Sequence, residues 1–324
     1  MRICIYGAGA IGGFLGAYLA RGGHDVSLIA RGDNLTTLRS RGLTLVHGDT
    51  TFTVYPDCTE DPKRIGEVDA VFVTVKGPAL PSVGDAIAPL LGPDTFVVFA
   101  MNGLPWWYDY GRDGQPTSAS TLLDPTGSIG RTVGAERAQG CVVDCPTRVS
   151  QPGTVVCNSA GRGKFTLGEP DGSISDRVLA LAHILETAHM SAPVTRDIRQ
   201  AIWAKLVINL SRSPLAVLTG VTELTMAENK VITQISREMI EEAAAVAAAH
   251  GYPIAFDWSR LLDAGHRHNH RPSMLQDWDA QRPMEIDSIV TIVTRFAVEA
   301  GLKTPTIDRI LALLTLKARQ AGLY

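Results

Sequence analysis

Between an apolar run, Ile3 to Tyr6, and a helical pattern reaching Ala20, the chain places Gly7-Ala8-Gly9-Ala10-Ile11-Gly12. Few folds accommodate that order. A short β-branched run with no polar alternation reads as a buried parallel strand, and a second such run follows at Val26 to Ala30. Strand, glycine turn, helix and strand together form a dinucleotide-binding unit. Gly7 permits the tight turn out of the strand. Gly9 lets backbone approach a pyrophosphate, and Gly12 lets the helix lie close on the sheet. The helix start then offers N–H groups and a positive dipole end to phosphates.

The residue closing the second strand selects the dinucleotide. A carboxylate there would accept hydrogen bonds from a ribose 2′-hydroxyl. This chain has Arg31, whose guanidinium can pair with a 2′-phosphate, so NADP(H) is the expected cofactor. The alternative is a solvated surface arginine. Two further apolar runs, Val68 to Val75 and Thr95 to Ala100, end in Lys76-Gly77-Pro78 and Met101-Asn102-Gly103. Ligands of such sheets bind at the carboxyl ends of the strands, which puts Lys76 within reach of a cofactor phosphate and Asn102 within reach of the ribose or nicotinamide. Each could instead be a plain strand-end residue. Residues 43–56 read as a hairpin turning at His47-Gly48-Asp49. Residues 139–168 read as strands joined by hairpins that complete the sheet. A polar helix over Asn34 to Arg41, capped by Asp33, and a helix over Val178 to His189 fill the remaining space.

From about Asp197 no strand run recurs, and helical periodicity covers 198–218, 229–250, 257–264, 283–300 and 306–320. The expected architecture is α/β. A Rossmann-type parallel-sheet domain over 1–196 is followed by an all-helical C-terminal domain over 197–324. The 324 residues, 45% hydrophobic, suffice for two such cores. A net charge of −3 gives no basic excess for nucleic acid or a membrane surface. No apolar run approaches the ~18 residues needed to cross a bilayer. Five cysteines with no Cys-x-x-Cys pair read as reduced, buried thiols of a cytoplasmic protein.

Within the helical half, Lys205, Asn209 and Ser213 recur at intervals of four and so share one face of a helix that is otherwise apolar. Lysine is seldom buried without a partner, though it can snorkel to the surface. Beside a nicotinamide cofactor, its ammonium suits carbonyl reduction. It can stabilise negative charge growing on the carbonyl oxygen and supply the proton. Asn209 and Ser213 would then hold polar groups of the substrate. Glu285 falls one turn before Ile289 and borders an apolar stripe. A carboxylate there either accepts from a substrate hydroxyl or from Lys205, or simply complements a helix N-terminus. His266, His268 and His270 have Arg267 and Asn269 between them and Arg271 beside them and lack an acidic ligand, so they read as a polar loop and not as a metal site.

Taken together, Gly7 to Gly12, Arg31, Lys76, Asn102-Gly103, Lys205-Leu206-x-x-Asn209, Ser273-Met274-Leu275-Gln276-Asp277 and Glu285-Ile286-Asp287 resemble the ketopantoate reductase family, the 2-dehydropantoate 2-reductases. The resemblance runs nearly the whole chain. It implies an NADP-binding domain joined to a helical domain, and reduction of 2-dehydropantoate to (R)-pantoate on the way to pantothenate. It further implies Lys205 as general acid, with Asn209, Ser273 and Glu285 contacting the substrate. Arg31 and Lys76 would hold the 2′-phosphate, and Asn102 the cofactor. Two features depart from the family pattern. Ser213 stands where a second asparagine is common, and Pro105-Trp106-Trp107-Tyr108 is unusually aromatic. Another 2-keto or hydroxy acid is therefore an alternative substrate, and a non-catalytic NADP(H) sensor an alternative function. The partner expected is a small 2-keto acid. The helical domain could also carry a homodimer interface.

Overall fold

The computed structural model describes residues 1–113, 115–158, 161–262, 265 and 269–324. The chain folds as two compact units. The first comprises Met1–Met101, Trp107–Asp113 and Asp124–Ile198; the second comprises Asn102–Trp106, Gly114–Leu123 and Arg199–Tyr324.

The first unit is built on strands β1 (Arg2–Tyr6), β2 (Asp25–Ile29), β3 (Leu43–His47), β4 (Thr50–Val54), β5 (Asp57–Thr59), β6 (Val68–Val73), β7 (Leu91–Phe99), β8 (Ala138–Asp144), β9 (Thr147–Gln151), β10 (Thr154–Cys157) and β11 (Lys164–Gly168). Seven of them form one sheet in the order β11-β8-β7-β6-β1-β2-β5. All its neighbours are parallel except β11, which runs antiparallel to β8. Val71, Phe72, Val97 and Val98 are fully buried. That is why β6 and β7 carry unbroken apolar runs, since a strand covered on both faces has no polar side to show. The helices of this unit are α1 (Ala10–Arg21), α2 (Gly32–Arg41), α3 (Leu80–Ala86), α5 (Ser128–Val133) and α6 (Asp176–Thr187); α4 (Ala119–Leu123) belongs to the second unit.

Local order departs from the sequence reading in two places. Asp33 lies in the first turn of α2 and does not cap it; the cap position is Arg31 in extended backbone. The segment 139–168 does not add only to the main sheet. β9 and β10 leave it and join the β3–β4 hairpin in a four-stranded sheet ordered β4-β3-β10-β9. Helix α1 fits against both sheets because it is glycine-rich. A Cβ at Gly16 would lie 2.8 Å from Leu28 of the large sheet, and one at Gly13 would lie 2.6 Å from Val155 of the small one. Burial pushes the Cys4 thiol up to about 12. Cys58, half-buried and beside Asp57, rises to about 11. None of the five cysteines is in a disulfide, and Cys58 and Cys145 are only half-buried.

Gln139, in β8, is fully buried, and neither its amide oxygen nor its amide nitrogen has a hydrogen-bond partner. An unpaired buried amide costs its full desolvation. Gln139→Met keeps the shape and removes the polar atoms. It is expected to stabilise the protein by about 1–3 kcal/mol, read as a raised midpoint in urea or thermal unfolding. A lowered midpoint would show that the amide is satisfied in solution.

The second unit contains no strand among its described residues. After α4 it comprises α7 (Ile198–Thr219), α8 (Glu223–Glu228), α9 (Lys230–Ala249), α10 (Trp258–Leu262), α11 (Ser273–Asp279), α12 (Ile292–Glu299) and α13 (Pro305–Gln320). Residues Asp287–Thr291, just ahead of α12, form a π-helical turn. Helix α7 is long and apolar enough for a membrane span by composition, yet 61% of its most apolar window is buried inside the protein. Trp203 of α7 is fully buried, with its ring centroid 5.9 Å from that of Phe296 on α12. His250, just after α9, stacks on Phe296 and pairs through Nε2 with its carbonyl oxygen at 3.0 Å. Glu242 of α9 accepts from the Thr306 and Ile307 backbone N–H groups, capping the start of α13. These contacts fix α7, α9, α12 and α13 as one core.

Candidate active site

In the first unit the glycine turn follows β1. Strand β1 lies between β2 and β6, where the chain's strand order reverses, and ligands of open α/β sheets bind at such a point. Gly7 has φ +112°, and a Cβ on it would come within 2.9 Å of Val75 Cγ1. The Gly7 and Ala8 N–H groups donate to the Ile29 carbonyl at 3.2 and 3.1 Å. The turn is thus held between the ends of β2 and β6, which lead to Arg31 and Lys76. A Cβ on Gly12 would lie 2.0 Å from the Gly7 carbonyl oxygen, so only glycine permits this approach of helix to turn.

Gly9, at the N-cap of α1, has open space where a side chain would stand, and no side chain caps the helix. Uncapped N–H groups behind an open glycine fit a pyrophosphate, and the turn composed of Gly7, Ala8, Gly9, Ala10, Ile11 and Gly12 can therefore hold a dinucleotide. Arg31 is exposed. Burial raises the Tyr6 phenol above its ordinary value, and the nearby Arg31 guanidinium opposes that rise. Lys76 is half-buried, ahead of the short 3-10 turn Gly77–Ala79.

In the second unit, Lys205 lies in the middle of α7, half-buried, with fully or nearly fully buried Leu206 and Val207 beside it. Its Nζ donates to Asn102 Oδ1 at 2.7 Å across 103 residues of sequence. The position of Asn102 is set in turn by the residues after it. Gly103 has φ +87°, and a Cβ there would lie 2.3 Å from the Ser288 carbonyl oxygen, which accepts from the Leu104 N–H at 2.9 Å. The Asn102-Gly103 turn is therefore pinned to the π-helical turn that follows Glu285. Irregular π turns are frequent at functional sites.

Glu285 is 4% exposed and stands immediately before that helical segment, with Met284 N–H bonded to the Leu323 carbonyl and Asp287 accepting from the Tyr324 hydroxyl. Asn209 is half-buried one turn beyond Lys205, and Ser213 is 4% exposed one turn further. Ser273 is half-buried at the first residue of α11. The candidate residues therefore divide. Gly7 to Gly12, Arg31 and Lys76 belong to the first unit; Asn102, Lys205, Asn209, Ser213, Ser273 and Glu285 belong to the second.

Trp106, Trp107 and Tyr108 are 7%, 2% and 0% exposed, so all three serve as packing anchors. His266 and His268 lie outside the described residues. His270 is half-buried, and its carbonyl accepts from the Glu223 N–H at 3.0 Å.

Two supports of the glycine turn escape a sequence reading. Asn34 donates to the Ala8 carbonyl and accepts from the Gly153 N–H, both at 2.8 Å, tying the turn to α2 and to the small sheet. Thr74 donates to the Gly7 carbonyl at 2.6 Å. A polar residue directly after the apolar run of β6 is the one local signal for Thr74; nothing local marks Asn34.

The family model described as ketopantoate reductase PanE/ApbA matches residues 3–108, and its C-terminal companion matches residues 197–318. A 2-dehydropantoate 2-reductase from Mesorhizobium japonicum is 39% identical, covering 100% of both chains. A solved structure from Ralstonia solanacearum MolK2, assigned to the ketopantoate reductases, superposes with a TM-score of 0.92 at 38% identity, covering 100% of this chain and 99% of that one. The 2-dehydropantoate 2-reductase structure from Geobacter metallireducens GS-15 gives a TM-score of 0.86 at 27% identity, covering 98% and 100%. With a dinucleotide turn in one unit, a partly buried lysine in the other and these relatives along its whole length, the chain belongs to the ketopantoate reductase family and is a pyridine-nucleotide-dependent oxidoreductase.

Proposed function

We propose that this enzyme reduces 2-dehydropantoate to (R)-pantoate, a step toward pantothenate, with NADPH as reductant and Lys205 as the proton donor. The observation that carries the reading is the 2.7 Å hydrogen bond from Lys205 Nζ to Asn102 Oδ1. When bound, NADPH supplies the hydride that reaches the carbonyl carbon. Negative charge then grows on the carbonyl oxygen, and the Lys205 ammonium stabilises it and delivers the proton. An ammonium has three N–H donors, so the bond to Asn102 aims the amine without exhausting it. Asn102 is in this reading both the amine's positioning residue and a contact for cofactor or substrate.

Asn209 and Ser213, on the same face of α7, and Ser273, at the start of α11, supply neutral hydrogen-bonding groups for the substrate. Glu285 accepts a hydrogen bond from a substrate hydroxyl, and its burial makes that bond stronger than it would be in water. The choice of 2-dehydropantoate rests on the relatives named for it. The test is NADPH oxidation with a panel of 2-keto acids. The highest kcat/KM is expected for 2-dehydropantoate; another keto acid turned over more than about tenfold better would reassign the substrate. No turnover with any of them, while NADPH binds, would make the chain a sensor.

Gly7 to Gly12, Arg31 and Lys76 bind the cofactor, with Arg31 and Lys76 on the 2′-phosphate. A lost charge-assisted hydrogen bond is worth roughly 1.5–3 kcal/mol, so Arg31→Asp is expected to lower the preference for NADPH over NADH by about 10- to 100-fold. Comparing kcat/KM for the two cofactors measures it. An unaltered ratio would mean that another residue reads the phosphate.

A further inference from the structure

The π-helical turn carries a polar group that the reaction as described does not use. Ser288 is 9% exposed, its Oγ is buried, and that oxygen has no hydrogen-bond partner. A buried hydroxyl without a partner is uncommon in a folded protein and calls for a specific explanation, a bound ligand group among them. Its surroundings narrow the partner down. The Ser288 carbonyl holds the Leu104 N–H at 2.9 Å, and a Cβ at Gly103 would lie 2.6 Å from Ser288 Cβ. The hydroxyl therefore belongs to the residue that abuts the Asn102-Gly103 turn. Asn102 in turn accepts from Lys205 Nζ at 2.7 Å.

We propose that Ser288 is a substrate-binding residue. Its hydroxyl donates a hydrogen bond to a carboxylate oxygen of the bound keto acid, beside the carbonyl oxygen that Lys205 serves. This role rests on the keto-acid chemistry proposed for Lys205. In a 2-keto acid the carboxylate is bonded directly to the carbonyl carbon, so a second donor one residue removed from the amine's partner suits that oxygen. A neutral donor is adequate there because the ammonium already supplies positive charge. The sequence alone does not mark Ser288, since a serine three residues into a helical pattern is an unremarked surface choice until its burial is known.

The test is Ser288→Ala. The KM for 2-dehydropantoate is expected to rise roughly 3- to 20-fold, with kcat within about threefold of the parent. The Kd for NADPH, read by fluorescence in the absence of keto acid, is expected to be unchanged. The unfolding temperature of the ligand-free protein is expected to rise by about 2–4 °C, because alanine removes an unsatisfied buried hydroxyl. Weaker substrate binding together with greater stability separates a binding role from a packing role, in which KM would not move. An unchanged KM in an otherwise active enzyme overturns the proposal. A weakened NADPH Kd with unchanged KM also overturns it, assigning the hydroxyl to the nicotinamide carboxamide. A parent enzyme that turns over no keto acid removes the reaction itself, and Ser288's role with it.

Discussion

Lys205→Ala is expected to lower kcat by roughly two to four powers of ten while NADPH still binds. The lysine is asked to do two things. It must stabilise charge on the carbonyl oxygen as hydride arrives, and it must deliver the proton. Neither contributes to holding the nucleotide, for which the glycine turn, Arg31 and Lys76 are the proposed contacts. Alanine also leaves Asn102 Oδ1 without its 2.7 Å donor, so the turn bearing Asn102 loses a restraint as well as the reaction its acid. Lys205→Met keeps the length of the side chain and separates the two losses. It is expected to share the fall in kcat while disturbing the turn less. Stopped-flow or steady-state NADPH oxidation gives kcat, and cofactor fluorescence gives the binding. Undiminished turnover in both variants would take Lys205 out of the chemistry altogether.

Gly103→Ala is expected to cost about 2–5 kcal/mol of stability and to reduce kcat at least roughly tenfold. Two penalties add at this position. A backbone with φ +87° is strained for any residue with a Cβ, and that Cβ would meet the Ser288 carbonyl oxygen at 2.3 Å. Backbone cannot swing aside as a side chain can. The turn must therefore lift away from the π-helical segment, breaking the Leu104 N–H bond and carrying Asn102 off Lys205. Gly220 offers the control. It has φ +75° with nothing within 4 Å of its would-be Cβ, so Gly220→Ala isolates the backbone strain and is expected to cost about 1–2 kcal/mol without touching kcat. Thermal unfolding and steady-state kinetics on the two variants decide the matter. Equal losses in both would show that the contact with Ser288 is not what holds the turn.

The sequence by itself determined the units whose requirements are satisfied within a few residues. Gly7 to Gly12 had to be a turn entering a helix, because glycine spacing, the preceding apolar run and the following helical periodicity are all local. The same holds for β1, β2, β6 and β7 as parallel strands and for the helical character of the last third of the chain. Lys205 could be singled out because a lysine in an apolar helix is locally anomalous. Tertiary structure alone decided which distant groups meet. Nothing near position 102 announces that its amide will accept from an amine 103 residues later, and nothing near position 139 announces a glutamine with no partner. The second sheet, formed when β9 and β10 join β3 and β4, was likewise invisible, because a strand's sequence encodes its own periodicity and not its neighbour. Ser288 became informative only once its burial against Gly103 was known. Local patterns specify elements through sterics and periodicity, whereas partners are chosen by packing among residues that the chain holds far apart until it folds.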